Sequence, residues 1–184
     1  PYIFAYLISF TIRNGLVIIC FVVKGMNLMS LQKNTARVSD TKAWAFSRKI
    51  FTDGMRDGFP IALGYFAVSF SLGIAARNAG LTPFQGFLAS LFNNASAGEY
   101  AAFTLIAANA SYLGVALITL ISNARYLLMS CALAQRFAPD TPFFHRLFIA
   151  YDVTDELFGI TIARPGYLNP FYTYGAIALP APAW

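Results

Sequence analysis

The sequence predicts an all-α fold, a polytopic α-helical membrane protein that contains a broken or re-entrant helix. Three observations support this class. The 184 residues are 58% hydrophobic and only 11% charged, with a mean hydropathy of +0.58, whereas soluble domains carry about 25% charged residues. Several apolar stretches reach the roughly 20 residues that a helix needs to cross a bilayer. Polar residues interrupt the middle of these stretches, which is typical of helices that line an ion or substrate path.

The N-terminal part of the chain differs from the rest in its charge. The formal net charge is +5, and many of the basic residues lie at positions 24–56, as in a cytoplasmic membrane flank. We predict an N-terminal segment at residues 1–46 and a transmembrane transporter domain at residues 47–184. An apolar stretch at residues 2–23 has the length of a span, but polar residues interrupt its centre.

The first clear membrane span is predicted at residues 59–76. Pro60 lies in its first turn, where a helix tolerates proline, and a tight turn at residues 80–83 follows it. At the other end of the chain, a new apolar run begins at Phe171 shortly before Trp184. We therefore expect the domain to lack its C-terminal helices.

The next segment, residues 83–108, is apolar at both ends and polar in the middle. The polar and small residues of this middle part are Asn93, Asn94, Ser96, Gly98 and Glu99. Unwound backbone at membrane depth is tolerated only where protein or a water cavity surrounds it. We predict a broken helix or re-entrant turn at residues 93–99; a kinked helix whose polar residues bond to neighbours is the alternative.

The longest span is predicted at residues 111–137, and Arg125 lies near its centre. One polar stripe contains Thr119, Asn123, Tyr126 and Ser130. A guanidinium at this depth needs carboxylate or carbonyl partners, and the acids expected at similar depth are Glu99, Asp152, Asp155 and Glu156. The sequence leaves two roles possible for Arg125: it forms a structural ion pair, or it contacts the substrate.

Residues 145–164 read as one largely apolar helix with an acidic middle. Helical spacing places His145, Asp152 and Glu156 on one stripe, with Asp155 beside it. Each carboxylate near the bilayer centre costs roughly 2.5 to 3.5 kcal/mol on insertion scales, so other helices must cover this stripe. A soluble amphipathic helix has the same local pattern, and the composition of the whole chain favours the membrane interpretation.

The charged loops also favour a re-entrant segment. If residues 24–56 are cytoplasmic, three simple spans would place Arg136 and Arg146 outside, against the positive-inside rule. A re-entrant hairpin at residues 93–99 removes one crossing and returns both arginines to the inside.

The sequence contains neither a glycine-rich phosphate loop nor an HExxH zinc motif. Ser96 and the lone His145 could form a catalytic dyad only if they met, and His145 lies at a helix end beside Arg146. We predict no enzyme activity, no cofactor, no metal and no nucleic-acid partner.

Several short motifs occur along the chain: G-F-P from Gly58, S-A-G-E-Y from Ser96, S-N-A-R-Y from Ser122 and T-D-E from Thr154. Their order and spacing resemble the AzlC family of branched-chain amino-acid exporters, and the resemblance covers residues 51–184. The family more often has glutamine at the position of Glu99 and glycine at that of Ser96. The resemblance implies a multi-pass inner-membrane exporter that works with a small AzlD-type membrane subunit.

We expect an amino-acid substrate to be bound by cationic and polar groups and coupled to an ion by acids. The predicted substrate residues are Arg125, Asn123, Tyr126, Asn94 and Ser96, and the predicted ion-coupling residues are Glu99, Asp152, Asp155 and Glu156. A transporter or channel for another small solute and a structural membrane subunit are the alternatives.

Overall fold

The computed structural model describes residues 44–93 and 95–184, so the predictions for residues 1–43 and for Asn94 lie outside the described residues. In the two described ranges every regular element is a helix, which confirms the all-α class. The division of the chain at residues 46 and 47 stays a prediction. The helices are α1 Arg48–Asn78, α2 Pro83–Asn93, α3 Ser96–Ala107, α4 Tyr112–Asn123, α5 Arg125–Ala134, α6 Phe143–Tyr151, α7 Asp155–Ile162, α8 Pro170–Ala178 and α9 Pro180–Ala183.

Two helices of the described chain are long and apolar enough to cross a membrane. α1 has 31 residues, or about 46 Å at 1.5 Å per residue, and much of its apolar surface faces outward. The second, Tyr112–Ala134, runs through α4 and α5. The α-helical hydrogen bonding is interrupted at Ala124, whose N–H donates to the carbonyl of Ile121 three residues back, as in a 3₁₀ turn.

The predicted break at residues 93–99 is confirmed. α2 and α3 have 11 and 12 residues, so each is too short to cross a hydrocarbon core of about 30 Å. The Ser90 hydroxyl donates to the Glu99 carboxylate at 3.3 Å across the break. Along a continuous helix these residues would be about 13.5 Å apart, beyond the reach of both side chains. The two helices therefore fold back on each other, and together they are called hairpin 1.

The predicted single helix at residues 145–164 is wrong. α6 ends at Tyr151 and α7 begins at Asp155. Thr154 causes the interruption, because its backbone is extended and its hydroxyl oxygen accepts a hydrogen bond from the Leu157 N–H, as in a helix N-cap. The turn separates Asp152 from α7, so the predicted continuous acidic stripe does not form. Helices α6 and α7 are called hairpin 2.

Hairpin 1 begins and ends at one end of the molecule, here called the distal end. Leu81 precedes the hairpin, Ile106 lies near its last residue and Val115 lies in the first turn of α4. All three belong to one buried apolar cluster, together with Ala76 near the end of α1. The hairpin therefore enters and leaves from the same end, as a re-entrant segment does.

Hairpin 2 begins and ends at the opposite end, here called the basic end. Arg136 precedes the hairpin and Leu168 follows it, and the Leu168 N–H donates to the Arg136 carbonyl at 2.7 Å. The Trp44 indole N–H, ahead of α1, donates to Asp140 at 3.2 Å. The side chains that give this end its charge are Arg48, Lys49, Arg136, Arg146 and Arg164. Arg136 and Arg146 thus lie at the same end as the start of α1, in agreement with the re-entrant topology.

Glycines allow α1 and α8 to pack with their backbones in contact. A Cβ added at Gly54 would lie 2.1 Å from the carbonyl oxygen of Tyr172, and one at Gly175 would lie 2.0 Å from that of Phe51. Such distances leave no room for any side chain. This contact holds α8 against the first half of α1 and so positions α9 near the molecular centre.

A short internal repeat matches this architecture. The pattern R-x-A-x-x-T-P-F occurs at residues 77–84 and again at residues 136–143. Each copy connects the end of a spanning helix to the start of a hairpin. The two spans run in opposite directions, so the described chain contains two span-plus-hairpin units of inverted orientation, which is typical of secondary transporters.

Candidate functional site

The candidate site is a small polar cavity where three interruptions of helical structure meet. They are the break in hairpin 1, the 3₁₀ turn at Ala124 and the turn of hairpin 2. The cavity has a volume of about 20 Å³, enough for one water molecule. Its walls are Tyr65, Ala95, Ser96, Arg125, Tyr126, Thr154, Asp155, Glu156 and Trp184. Predicted substrate residues Arg125, Tyr126 and Ser96 therefore lie together, with Asp155 and Glu156 of the predicted acids.

The strongest polar contact at the cavity is an ion pair. The Arg125 guanidinium lies 2.8 Å from the carboxylate of Asp155, which is one of the four acids expected as its partner. The Arg125 side chain is 47% exposed and that of Asp155 41%. The guanidinium also lies over the Tyr126 ring, 5.3 Å from its centroid. Because both charges are partly exposed, a ligand can reach them without the removal of a covering side chain.

Two helix N-termini point to the same cavity, and they differ in how their N–H groups are satisfied. α3 follows Ala95, which has no side chain that can cap it. The N-terminus of α3 therefore offers an anion the partial positive charge of the helix dipole. α7 is capped by Thr154 and has Asp155 and Glu156 in its first turn, so its N-terminus already carries negative charge. The N-terminus of α3 favours an anion, and the N-terminus of α7 favours a cation.

Tyr65 and Trp184 also line the cavity, although the sequence analysis did not select them. The Tyr65 hydroxyl contacts the Thr154 hydroxyl and lies 2.8 Å from the Glu156 carboxylate. The Trp184 ring meets the Tyr65 ring edge to face at 5.0 Å. Its indole nitrogen is buried and has no hydrogen-bond acceptor among residues 44–93 and 95–184. The position of Tyr65 midway along an apolar span was the signal that could have identified it.

Other predicted site residues lie away from the cavity wall. Asn123 is 3% exposed and donates to Asn93 at 2.7 Å, which links α4 to hairpin 1. Glu99 is 2% exposed and contacts Ser90 on the other arm of that hairpin. Asp152 follows α6 in the turn of hairpin 2. Asn94 lies outside the described residues, so its predicted role stays a prediction.

His145 lies at the basic end, where its imidazole contacts the Tyr174 hydroxyl at 2.8 Å. Ser96 lies at the central cavity, so the structure does not bring this serine and histidine together. Among the described residues, no group of three His, Cys, Asp or Glu side chains is placed to hold a metal ion.

Half-length helices that meet at a polar centre of a membrane protein are typical of secondary transporters. A comparison with protein families gives the family of the chain. The family model described as AzlC protein matches residues 60–184, and the chain belongs to the AzlC family.

The chain is also similar to three membrane proteins of prokaryotes. An "Uncharacterized membrane protein" of Archaeoglobus fulgidus is 31% identical over 61% of this chain and 49% of its own length. "Inner membrane protein YgaZ" of Escherichia coli is 26% identical over 62% of this chain and 46% of its own. An "Uncharacterized membrane protein" of Helicobacter pylori is 29% identical over 60% and 49%. The chain spans about half the length of these curated relatives, and no solved structure matches it.

Proposed function

We propose that the chain is part of a secondary transporter that exports branched-chain or related apolar amino acids across the cytoplasmic membrane, together with a small AzlD-type membrane subunit. The observation that carries the proposal is the cavity between the two hairpin tips. It combines a cation, an uncapped helix N-terminus and two carboxylates within one site. An amino-acid zwitterion is the simplest solute that uses both signs of charge at once.

The substrate carboxylate is assigned to the hairpin 1 side of the cavity. Arg125 provides a bidentate cation, and the first N–H groups of α3 after Ala95 provide uncharged donors. The Trp184 indole N–H is a further donor that needs an acceptor. A substrate carboxylate that binds here competes with Asp155 for Arg125.

The substrate ammonium is assigned to hairpin 2. Asp155, once released from Arg125, and Glu156 both face the cavity from the first turn of α7. A volume of about 20 Å³ does not admit a leucine side chain, so at least one hairpin must move when the substrate binds.

Glu99 is the acid that best fits a coupling role. Its carboxylate is buried in hairpin 1, and its hydrogen bond in the described chain comes from the neutral Ser90 hydroxyl. A buried carboxylate without a cation is stable only when it holds a proton or a bound ion. Asp152, Asp155 and Glu156 stay the alternative coupling acids.

The basic end is assigned to the cytoplasm. Arg136, Arg146 and Arg164 gather there with the start of α1, whereas Arg77 is the basic residue nearest the distal end among the described residues. This asymmetry follows the positive-inside rule. An Escherichia coli relative carries the name inner membrane protein, which supports the same membrane for this chain.

The experiment that tests the proposal is export of labelled leucine, valine, methionine and alanine from dipeptide-loaded cells. The cells carry the complete gene with and without a gene for a small AzlD-type subunit. Export of the branched substrates only when both genes are present supports a two-component exporter. If none of the four is exported while the protein is in the membrane, the amino-acid assignment fails, and a transporter of another solute or a structural subunit replaces it.

A further inference from the structure

The two hairpins reach the same cavity from opposite ends, and a buried polar side chain of a different spanning helix bonds to each. Hairpin 2 bonds to Tyr65 of α1, besides the ion pair of its Asp155 with Arg125, whereas hairpin 1 bonds to Asn123 of α4, besides its apolar contacts with α1. We infer that the two hairpins are the two gates of the transport path, with Tyr65 the latch of the basic-end gate and Asn123 the latch of the distal gate. The inference rests on the proposed transport function and adds the residues that control access.

The Tyr65 latch joins the centre of α1 to the tip of hairpin 2. Its phenol donates to the Glu156 carboxylate at 2.8 Å and also contacts the Thr154 hydroxyl. Because a phenol has a single proton, the Thr154 hydroxyl is the donor in this second contact. Tyr65 is 7% exposed, so water competes little for these bonds. The loss of this single hydroxyl removes both contacts between α1 and the hairpin tip.

The Asn123 latch has the corresponding position on the other unit. Its side-chain amide donates to the Asn93 carbonyl oxygen at 2.7 Å, at the end of α2. The amide packs so closely on hairpin 1 that a Cβ at Gly98 would lie 2.7 Å from its oxygen. Asn123 comes two residues before Arg125, so a movement of hairpin 1 acts directly on the helix that carries the cavity cation.

The substrate can release one latch by competition. An ammonium group that approaches Glu156 offers the carboxylate an ion pair in place of a hydrogen bond from the uncharged Tyr65 phenol, so the attraction between two opposite charges is added. Occupation of the cavity therefore favours separation of hairpin 2 from α1. Hairpin 1 keeps its bond to Asn123 during this step, so the path opens to the basic end alone.

The test measures access to the cavity from each side of the membrane. Ser96 lines the cavity, so Ser96→Cys in the complete protein gives a thiol that a membrane-impermeant maleimide can label. Inside-out and right-side-out vesicles present the two faces, and the same protein without the substitution is the blank for its natural cysteines. We expect Tyr65→Phe to raise labelling from the basic-end face about tenfold and to leave the other face unchanged.

Asn123→Ala should have the opposite effect, with faster labelling from the distal face alone. Asn93→Ala removes the other partner of the same bond and should repeat that result if Asn123→Ala does not fold. Tyr172→Phe is the matched control, because it also removes a phenol hydroxyl that bonds a carboxylate, and that carboxylate, Asp57 at 2.7 Å, belongs to α1 and not to a hairpin tip. It should leave labelling unchanged from both faces.

The gate assignment is overturned if Tyr65→Phe and Asn123→Ala change labelling from the same face, or if neither differs from Tyr172→Phe. The labelling does not depend on which solute is carried. Side-specific labelling without amino-acid export would thus support the gates and refute the proposed substrate. Amino-acid export without side-specific labelling would support the proposed substrate and refute the gates.

Discussion

Hairpin 1 and hairpin 2 share one plan, but the chemistry of their tips is opposite. The tip of hairpin 1 is followed by a helix whose N-terminus has no side-chain cap. The tip of hairpin 2 is followed by a helix that Thr154 caps and that carries Asp155 and Glu156 in its first turn. The bare N-terminus attracts an anion, and the capped acidic one attracts a cation. Under the proposed function, this difference gives the inverted pair of hairpins one tip for each charge of a zwitterion.

The two hairpins are also held differently. Hairpin 1 packs closely on its neighbour, since Gly98 lies against the Asn123 amide. The start of α7 in hairpin 2 is instead joined to its neighbours by polar side chains, through the Arg125–Asp155 ion pair and the Tyr65 hydroxyl. We therefore expect hairpin 1 to be sensitive to side-chain volume and hairpin 2 to be sensitive to the loss of polar atoms.

The largest effect is expected from Arg125→Gln, which removes the cation shared by both tips. Export should be abolished while the amount of protein in the membrane stays the same. Arg164→Gln is the matched control, because this arginine pairs with Asp57 at 3.9 Å at the basic end, away from the cavity. Export assays with quantification of membrane protein check both variants. Loss of Arg125→Gln from the membrane would make the ion pair structural.

The next effect tests the close packing of hairpin 1. In Gly98→Ala the new Cβ would lie 2.7 Å from the Asn123 side-chain oxygen, whereas a Cβ at Gly159 of hairpin 2 meets nothing within 4 Å. We expect Gly98→Ala to lower the free energy of unfolding by about 1–3 kcal/mol and Gly159→Ala to leave it unchanged or slightly raised. Thermal unfolding in detergent measures both. Equal losses in the two variants would remove the packing distinction.

A smaller effect is expected at the cap of hairpin 2. Thr154→Val keeps the shape of the side chain but removes the hydroxyl that accepts the Leu157 N–H and contacts Tyr65. The free energy of unfolding should fall by about 1 kcal/mol in Thr154→Val. Thr154→Ser should retain most of the stability. Thr161→Val removes a hydroxyl that bonds only to backbone carbonyls within α7 and should cost less. A larger loss at Thr161 than at Thr154 would contradict the capping role.

The smallest effect on the maximal export rate is expected from Glu99→Gln, since glutamine preserves the shape and the hydrogen bond with Ser90. The pH dependence of export should nevertheless become weaker, because the buried group in hairpin 1 can no longer exchange a proton. Export rates measured from pH 5.5 to 8.5, compared with Glu156→Gln in hairpin 2, check this prediction. An unchanged pH profile in Glu99→Gln would assign coupling to another acid.

Sequence reasoning succeeded where the signal was local. The polar residues around Ser96 in an apolar segment predicted the break in hairpin 1, and the charge of Arg125 predicted a carboxylate partner. Sequence reasoning failed at hairpin 2. The helical spacing of apolar residues over positions 145–164 predicted one helix, and the helix-capping residues inside this range were missed. The run Thr154-Asp155-Glu156 has the composition of a helix start, with a capping hydroxyl followed by acids in the first turn.

The sequence by itself determined the membrane environment, the all-α class and the positions at which polar groups had to be buried. Hydropathy and helix length are properties of contiguous residues, and so they can be read without a fold. Only the tertiary structure decided that Asp155 rather than Glu99 pairs with Arg125, that Tyr65 reaches hairpin 2, and that Asn123 lies behind the cavity. These contacts join residues that are far apart in the chain, and their distances are fixed by the inverted arrangement of the two units rather than by any local preference.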